Sequence, residues 1–190
     1  MRYLTSDHHF SHKNIVRFTN RGKDTPQELH DEWLTDLWNK QVSNSDEIWH
    51  LGDFSFAKKY DDIALIVSKL NGQKHFLKGN HDDRKVLERL ESDGLICKWY
   101  DYKEIKIIQT PVCLFHFPIG SWHKQGYGSF MLHGHCHSNY KDSKGKILDV
   151  GLDSAFDIYG EHRFFTEQNV IEYMQSKELH IADHHKEISS

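Results

Sequence analysis

The chain has 190 residues, and about a quarter of them are Leu, Ile, Val or Phe, enough for one buried core and too many for a disordered chain. Its 24 Lys and Arg against 28 Asp and Glu leave a net charge of -4 with no long block of one sign, which argues against a grip on nucleic-acid backbones as its main business. The longest apolar run, Ile63 to Val67, falls far short of the roughly 18 residues that a membrane span needs, and Asp7 arrives before a signal-peptide core can form, so a cytoplasmic protein is expected.

In chain order, short β-like runs alternate with helix-like ones, the pattern of an α/β sheet. Tyr3 to Thr5 reads as a first strand. Thr25-Pro26-Gln27-Glu28 reads as a helix start, with Thr25 as cap, Pro26 in the first turn and Glu28 reaching back, followed by a face of Leu29, Trp33 and Leu37. A strand over Glu47 to Leu51 precedes a helix over Asp61 to Leu70, stopped by Asn71-Gly72. A strand over His75 to Lys78 precedes a third helix from Asp83 to about Leu90. Beyond Gly94 the texture turns to strands: Trp99 to Ile108, Val112 to Phe117, Phe130 to His133 and Ile147 to Val150. A last helix begins near Thr166. One domain over 1–181 is expected, with a flexible polar tail over 182–190 whose His184 and His185, like nearby His180, are solvated.

Histidine is the compositional outlier, at 16 residues, while three cysteines without a CxxC pair argue against both a disulfide framework and a thiolate zinc site. The histidines and acids gather where strands end. Asp7-His8-His9 follows the first strand, Gly52-Asp53 the second and Gly79-Asn80-His81-Asp82 the third; His116 and Gly134-His135-Cys136-His137 close two later ones. Each alone has a turn or packing explanation. Their succession in one order does not.

That ordered set, Asp-x-His, Gly-Asp, Gly-Asn-His-Asp, His and Gly-His-x-His, resembles the signature of the calcineurin-like metallophosphoesterase superfamily, and it spans Asp7 to His137 with no member missing. The resemblance implies a small cap-less member: a four-layer α/β/β/α sandwich with two mixed β-sheets and a pair of divalent metals at the strand ends. By the same resemblance one metal is held by Asp7, His9, Asp53 and His137, the other by Asp53, Asn80, His116 and His135, with Asp53 shared. Manganese is favoured, with iron, zinc, nickel or cobalt as alternatives, since imidazole and carboxylate suit them all.

The chemistry has its own logic. A carboxylate shared between two cations roughly 3.5 to 4 Å apart lowers their repulsion, and a water bridging them supplies hydroxide near neutral pH to attack phosphorus in line. His81 would protonate the leaving oxygen and Asp82 would orient His81. His12 and Arg84 are candidate substrate contacts beside Asn80 and His81, and the segment Pro118 to Gly128, with Trp122, Lys124 and Tyr127, is a candidate rim. His8, His133 and Asp153 read as support around the ligands. The expected activity is hydrolysis of phosphodiesters of nucleotide or cyclic phosphate type, because an uncapped site accepts varied esters. A phosphomonoesterase, a non-catalytic scaffold and a histidine-rich metal store are the alternatives; a long duplex is disfavoured as substrate by the acidic balance.

Overall fold

The computed structural model describes residues 1–23, 25–141 and 143–182, without the side chains of Lys23 and Gln27. The tail expected to be flexible, with His184 and His185, lies outside the described residues from 183 onward. From β1 (Arg2–Thr5) the chain passes through a single-turn α1 (Ile15–Phe18) and the longer α2 (His30–Gln41) into β2 (Glu47–His50). Next come α3 (Tyr60–Ser68), β3 (Gln73–Leu77), α4 (Arg84–Ser92), β4 (Lys98–Tyr100), β5 (Tyr102–Ile107) and β6 (Thr110–Phe115). The chain ends with β7 (Phe130–His133), β8 (Ile147–Asp149), α5 (Leu152–Tyr159), β9 (Phe165–Thr166) and α6 (Glu167–Gln175).

The fold is α/β with two mixed sheets. One has the order β4-β3-β2-β1-β9, parallel except for β9; the other has β5-β6-β7-β8, parallel except for β5. Parallel pairing needs crossovers, and α2, α3 and α4 supply them for the first sheet, covering its outer face through Leu34, Trp38, Ile63, Val67, Leu87 and Leu90. Leu4, Leu51 and Leu77 on its inner face meet Val112, Leu114, Leu132 and Leu148 of the second sheet, with Ala155 of α5 and Val170 and Met174 of α6 completing that core. Strand alternation turns Cys113, Met131 and Ile147 to the other face, where they pack with Trp122. Where a fourth, helical layer was expected, the described residues place this Trp122-bearing loop.

Three local expectations need correction. The run Trp99 to Ile108 is not one strand: it breaks at Asp101, so that β4 joins the first sheet and β5 the second. Trp99 belongs to the helix-facing core while Ile107 is buried between the sheets, and one straight strand cannot serve both. The Thr25 cap is absent. A 3-10 turn over Gln27–Leu29 leads into α2, Thr25 Oγ1 donates to Pro26 O at 3.3 Å, and the core face is His30, Leu34 and Trp38, one position on from the expected stripe. Helix α5 was not foreseen, since it starts after Gly151 without a side-chain cap and carries two acids in eight residues. By contrast α6 starts as expected, on a capping box between Thr166 and Asn169. No helix among the described residues is long and apolar enough to cross a membrane.

The shifted face of α2 has a measurable consequence. Trp38→Ala, at a fully buried site, should cost about 3–5 kcal/mol in urea denaturation. Leu29→Ala, at a half-exposed one, should stay within about 0.5 kcal/mol. Equal losses would restore the expected stripe.

Candidate metal centre

Because β1, β2, β3, β6 and β7 point the same way within their sheets, the residues after each strand share one edge, and an isolated parallel bridge between Ser6 and Gly151 ties the two sheets there. The turns leaving those strands are strained. Asp7, His9, Asp53, His135 and His137 have φ of 57°, 54°, 57°, 68° and 46°, a left-handed conformation that non-glycine residues rarely adopt and that concentrates at functional sites. Two glycines let the turns close on each other. A Cβ on Gly79 would strike Asp53 Oδ1 and its backbone nitrogen, and one on Gly134 would strike Ser6 Oγ and Asp7 Oδ2.

Two triads result, Asp7, His9 and His137 in one and Asp53, His116 and His135 in the other, each offering ligand atoms within 4.8 Å of one another. In the first, His9 Nε2 faces His137 Nε2 at 3.1 Å and lies 3.8 Å from Asp7 Oδ1. Asp7 Oδ2 accepts the His135 amide at 2.9 Å, while Oδ1 is buried without a hydrogen-bond partner. Burial pushes the Asp7 carboxyl up to about 7 and His9 down to about 2, so both tend toward neutrality without a compensating cation. An orphaned carboxylate oxygen beside two converging imidazoles fits a divalent cation.

In the second triad, His116 Nδ1 donates to Leu51 O at 2.8 Å, which aims Nε2 into the triad. That nitrogen lies 2.9 Å from Asn80 Oδ1 and 3.5 Å from Asp53 Oδ2. Burial opposes charge on both partners. The contact nonetheless wins, holding Asp53 below the usual carboxylate range and His116 above its ordinary value. Asp53 also feels the His9 ring of the first triad.

Buried polar side chains hold these turns. Arg21, fully buried, pairs with Asp153 through Nε to Oδ1 at 3.1 Å and Nη2 to Oδ2 at 2.8 Å. Its other contacts run from Nη1 to His8 O at 2.8 Å and from Nη2 to Asp7 O at 2.6 Å. Asp153 Oδ2 in turn accepts from His137 Nδ1 at 2.6 Å, aiming Nε2 at the first triad. The support read for Asp153 is thus present, but Arg21 was missed in the sequence, where it sits in a polar stretch without periodicity. His8 is buried and faces His50 Nε2 through Nδ1 at 2.9 Å; His133 Nδ1 donates to Gly134 O at 2.7 Å.

Other candidates are placed differently from the expectation. Asp82 accepts from the amides of Asp53, Phe54 and Gly79 at 2.8, 3.0 and 2.8 Å, and it has no hydrogen bond with His81. Its job is to hold the Asp53 turn against the Asn80 loop, because its lone pairs are spent on that backbone. His81 instead donates its own amide to Asp53 Oδ1 at 2.9 Å, and its ring, 43% exposed, lies 3.9 Å from Asp53 Oδ2 and 4.3 Å from the Phe56 ring. Arg84 is engaged elsewhere, by Asp101 at 2.8 and 2.9 Å and over the Trp99 ring. His12 does reach the site, 5.8 Å from the His9 ring. Trp122 is buried in its own cluster, so it is no rim residue.

Comparison with known proteins adds relatives without an assigned activity. The chain is 30% identical to the uncharacterized protein MJ1445 of Methanocaldococcus jannaschii over 158 residues, 80% of this chain and 81% of the relative. It is 29% identical to the Gene 66 protein of Mycobacterium phage D29, over 82% of this chain and 89% of that one. The crystal structure of the protein of unknown function AQ665 from Aquifex aeolicus has the same fold, with a TM-score of 0.68 at 22% identity, covering 91% of this chain and 98% of that one. No family model matches.

Three outcomes follow from this geometry. Arg21→Met removes the guanidinium that offsets the buried Asp153 carboxylate and strands the Asp7 and His8 carbonyls, so it should cost about 3–5 kcal/mol and weaken metal retention at the first triad, read by calorimetric titration with manganese. Asp153→Asn, which keeps the volume, should lower metal affinity about 10- to 100-fold with a comparable stability loss, because fully buried Arg21 then lacks its counter-charge. The buried pair His8 and His50 sets an acid limit. Burial pushes His50 down to about 3 and His8 well below its ordinary value, so the unfolded chain binds protons below pH 6.5 that the native state refuses. Stability in chelator should therefore fall between pH 6.5 and about 3, and His50→Gln should make that slope shallower by about 1.4 kcal/mol per pH unit. An unchanged slope would show His50 protonated in the native state.

Proposed function

We propose that this chain, which belongs to the same family as the uncharacterized protein MJ1445 of Methanocaldococcus jannaschii, is a metal-dependent phosphoesterase that prefers phosphodiesters. On this reading its two-sheet architecture is of the metallophosphoesterase type, and two divalent ions, manganese favoured, sit at the triads. The observation that carries the reading is the adjacency of two imidazole–carboxylate triads with an uncommitted Asp7 oxygen on turns strained to bring them together. When bound, a metal pair supplies positive charge for phosphate oxygens and acidifies water near neutral pH.

The chain's own residues divide the remaining work. Asp7, His9 and His137 hold one ion; Asp53, Asn80, His116 and His135 hold the other, with Asp53 shared between them. His81 is exposed enough to meet a substrate and close enough to Asp53 to stay beside the phosphate, which suits it to hand a proton to the leaving oxygen. Asp82 acts at one remove, by holding Asp53 and Gly79 in register.

The test compares bis-p-nitrophenyl phosphate with p-nitrophenyl phosphate in the presence of manganese. Hydrolysis of the diester should exceed that of the monoester. His81→Ala should lose about 10²- to 10⁴-fold in turnover while keeping both ions, and Asp53→Asn should lose metal and activity together. Two bound ions without turnover under any divalent metal would favour a non-catalytic scaffold.

A further inference from the structure

A cleft of about 290 Å³ opens against the first triad, with His9, His12, Phe18, Phe56, His81 and Asn139 among its walls. Its walls differ in kind from the rim expected at Trp122. Ile15, nearly buried, forms apolar floor, and Phe18 at the end of α1 is 76% exposed. Phe56 is pinned by the edge of His12 with ring centroids 4.1 Å apart, and by His81 at 4.3 Å. An exposed ring and a pinned ring in one small cleft suit a flat aromatic guest.

The guest should also carry polar edges. His12 Nδ1 accepts the Asn14 amide at 3.1 Å, so its proton sits on Nε2 as a donor, and Asn139, whose Nδ2 donates to His137 O at 3.2 Å, keeps Oδ1 as an acceptor. Among the described residues no Lys or Arg lines the cleft beyond the triad, and Lys58 Nζ stands off at 5.8 Å from the Phe56 ring centroid, so the walls away from the triad suit an uncharged group better than a further phosphate. A single uncharged nucleoside satisfies all of these walls at once.

We propose that this cleft receives the leaving group and that the leaving group is a nucleoside, its base against Phe18 and Phe56 and its ribose oxygen toward His81. The inference rests on the phosphoesterase reading. Water adds its oxygen to phosphorus, the bond from phosphorus to the ribose oxygen breaks, His81 gives its proton to that oxygen, and the proton lost by water passes to solvent. The products are a free nucleoside and a phosphomonoester, so a reaction that makes nucleoside-bearing phosphodiesters must supply this substrate.

Adenosine is the probe, followed by saturation-transfer NMR and calorimetry on the full chain with manganese. Base protons should receive saturation. Phe18→Ala, at an exposed position that should not disturb folding, should raise Kd about 5- to 100-fold, whereas Phe18→Trp should preserve binding; inorganic phosphate should leave adenosine bound. Absence of binding at millimolar adenosine, or equal Kd for wild type and Phe18→Ala, overturns the nucleoside cleft. Hydrolysis of bis-p-nitrophenyl phosphate, run in parallel, separates the two readings. Turnover without adenosine binding refutes the cleft alone, and Phe18-dependent binding without turnover upholds the cleft while refuting the phosphoesterase.

Discussion

Everything at this edge of the protein depends on holding left-handed backbone at residues that are not glycine. Five of the seven candidate ligands, Asp7, His9, Asp53, His135 and His137, lie there, and each costs roughly 1–2 kcal/mol relative to ordinary backbone. Such a kink redirects side chains that would otherwise alternate between a strand's two faces, while Asn80 and His116 reach the site without one. The kinks survive because other groups hold them. Arg21 takes the carbonyls of Asp7 and His8, Asp82 takes the amides of Asp53 and Phe54, and the Asp31 carboxylate of α2 takes the Ser11 amide at 2.8 and 2.9 Å.

The same anchors explain why an α/β core of ordinary composition carries a site spanning two sheets. Between the sheets the contacts are apolar and without direction, so they set a distance and not a register. Register comes from the polar end. The bridge from Ser6 to Gly151, the Asp7 carboxylate on the His135 amide and the Arg21–Asp153 pair each join a segment following the first strand to a loop or helix that follows a strand of the second sheet. Arg21 is suited to this in a way lysine is not, since a planar fork satisfies a carboxylate and two carbonyls at fixed angles.

Much of this arrangement was legible in the sequence, for a physical reason. Ligand chemistry restricts residue type, so Asp7, His9, Asp53, His116, His135 and His137 stand out by identity, and strand ends followed by Gly give away their location. The supporting groups did not stand out because many residue types could do their work. Arg21 lies in a short polar stretch, and Asp82 was assigned to the neighbouring His81 when its carboxylate had nearer amides across the turn. Helix α2 was found but rotated by one residue: Leu29 and His30 are both plausible in the stripe, and only the packed Trp38 against His8 and Phe164 decides between them. The division of Trp99 to Ile108 between two sheets is a tertiary choice that alternation alone cannot express.

The position of His81 follows from the same division of labour. With Asp82 committed to the backbone, no carboxylate fixes the imidazole from behind, and a half-exposed ring 3.9 Å from Asp53 has freedom to turn. What limits that freedom is Phe56, stacked at a tilt on one side, and whatever fills the cleft on the other. On the phosphoesterase reading, a guest lying on Phe18 and Phe56 would restrict His81 as proton donor as well as the leaving group, since the same aromatic wall touches both. Specificity and proton transfer then become two effects of one contact, and a leaving group too small to reach Phe56 should lose turnover as well as affinity.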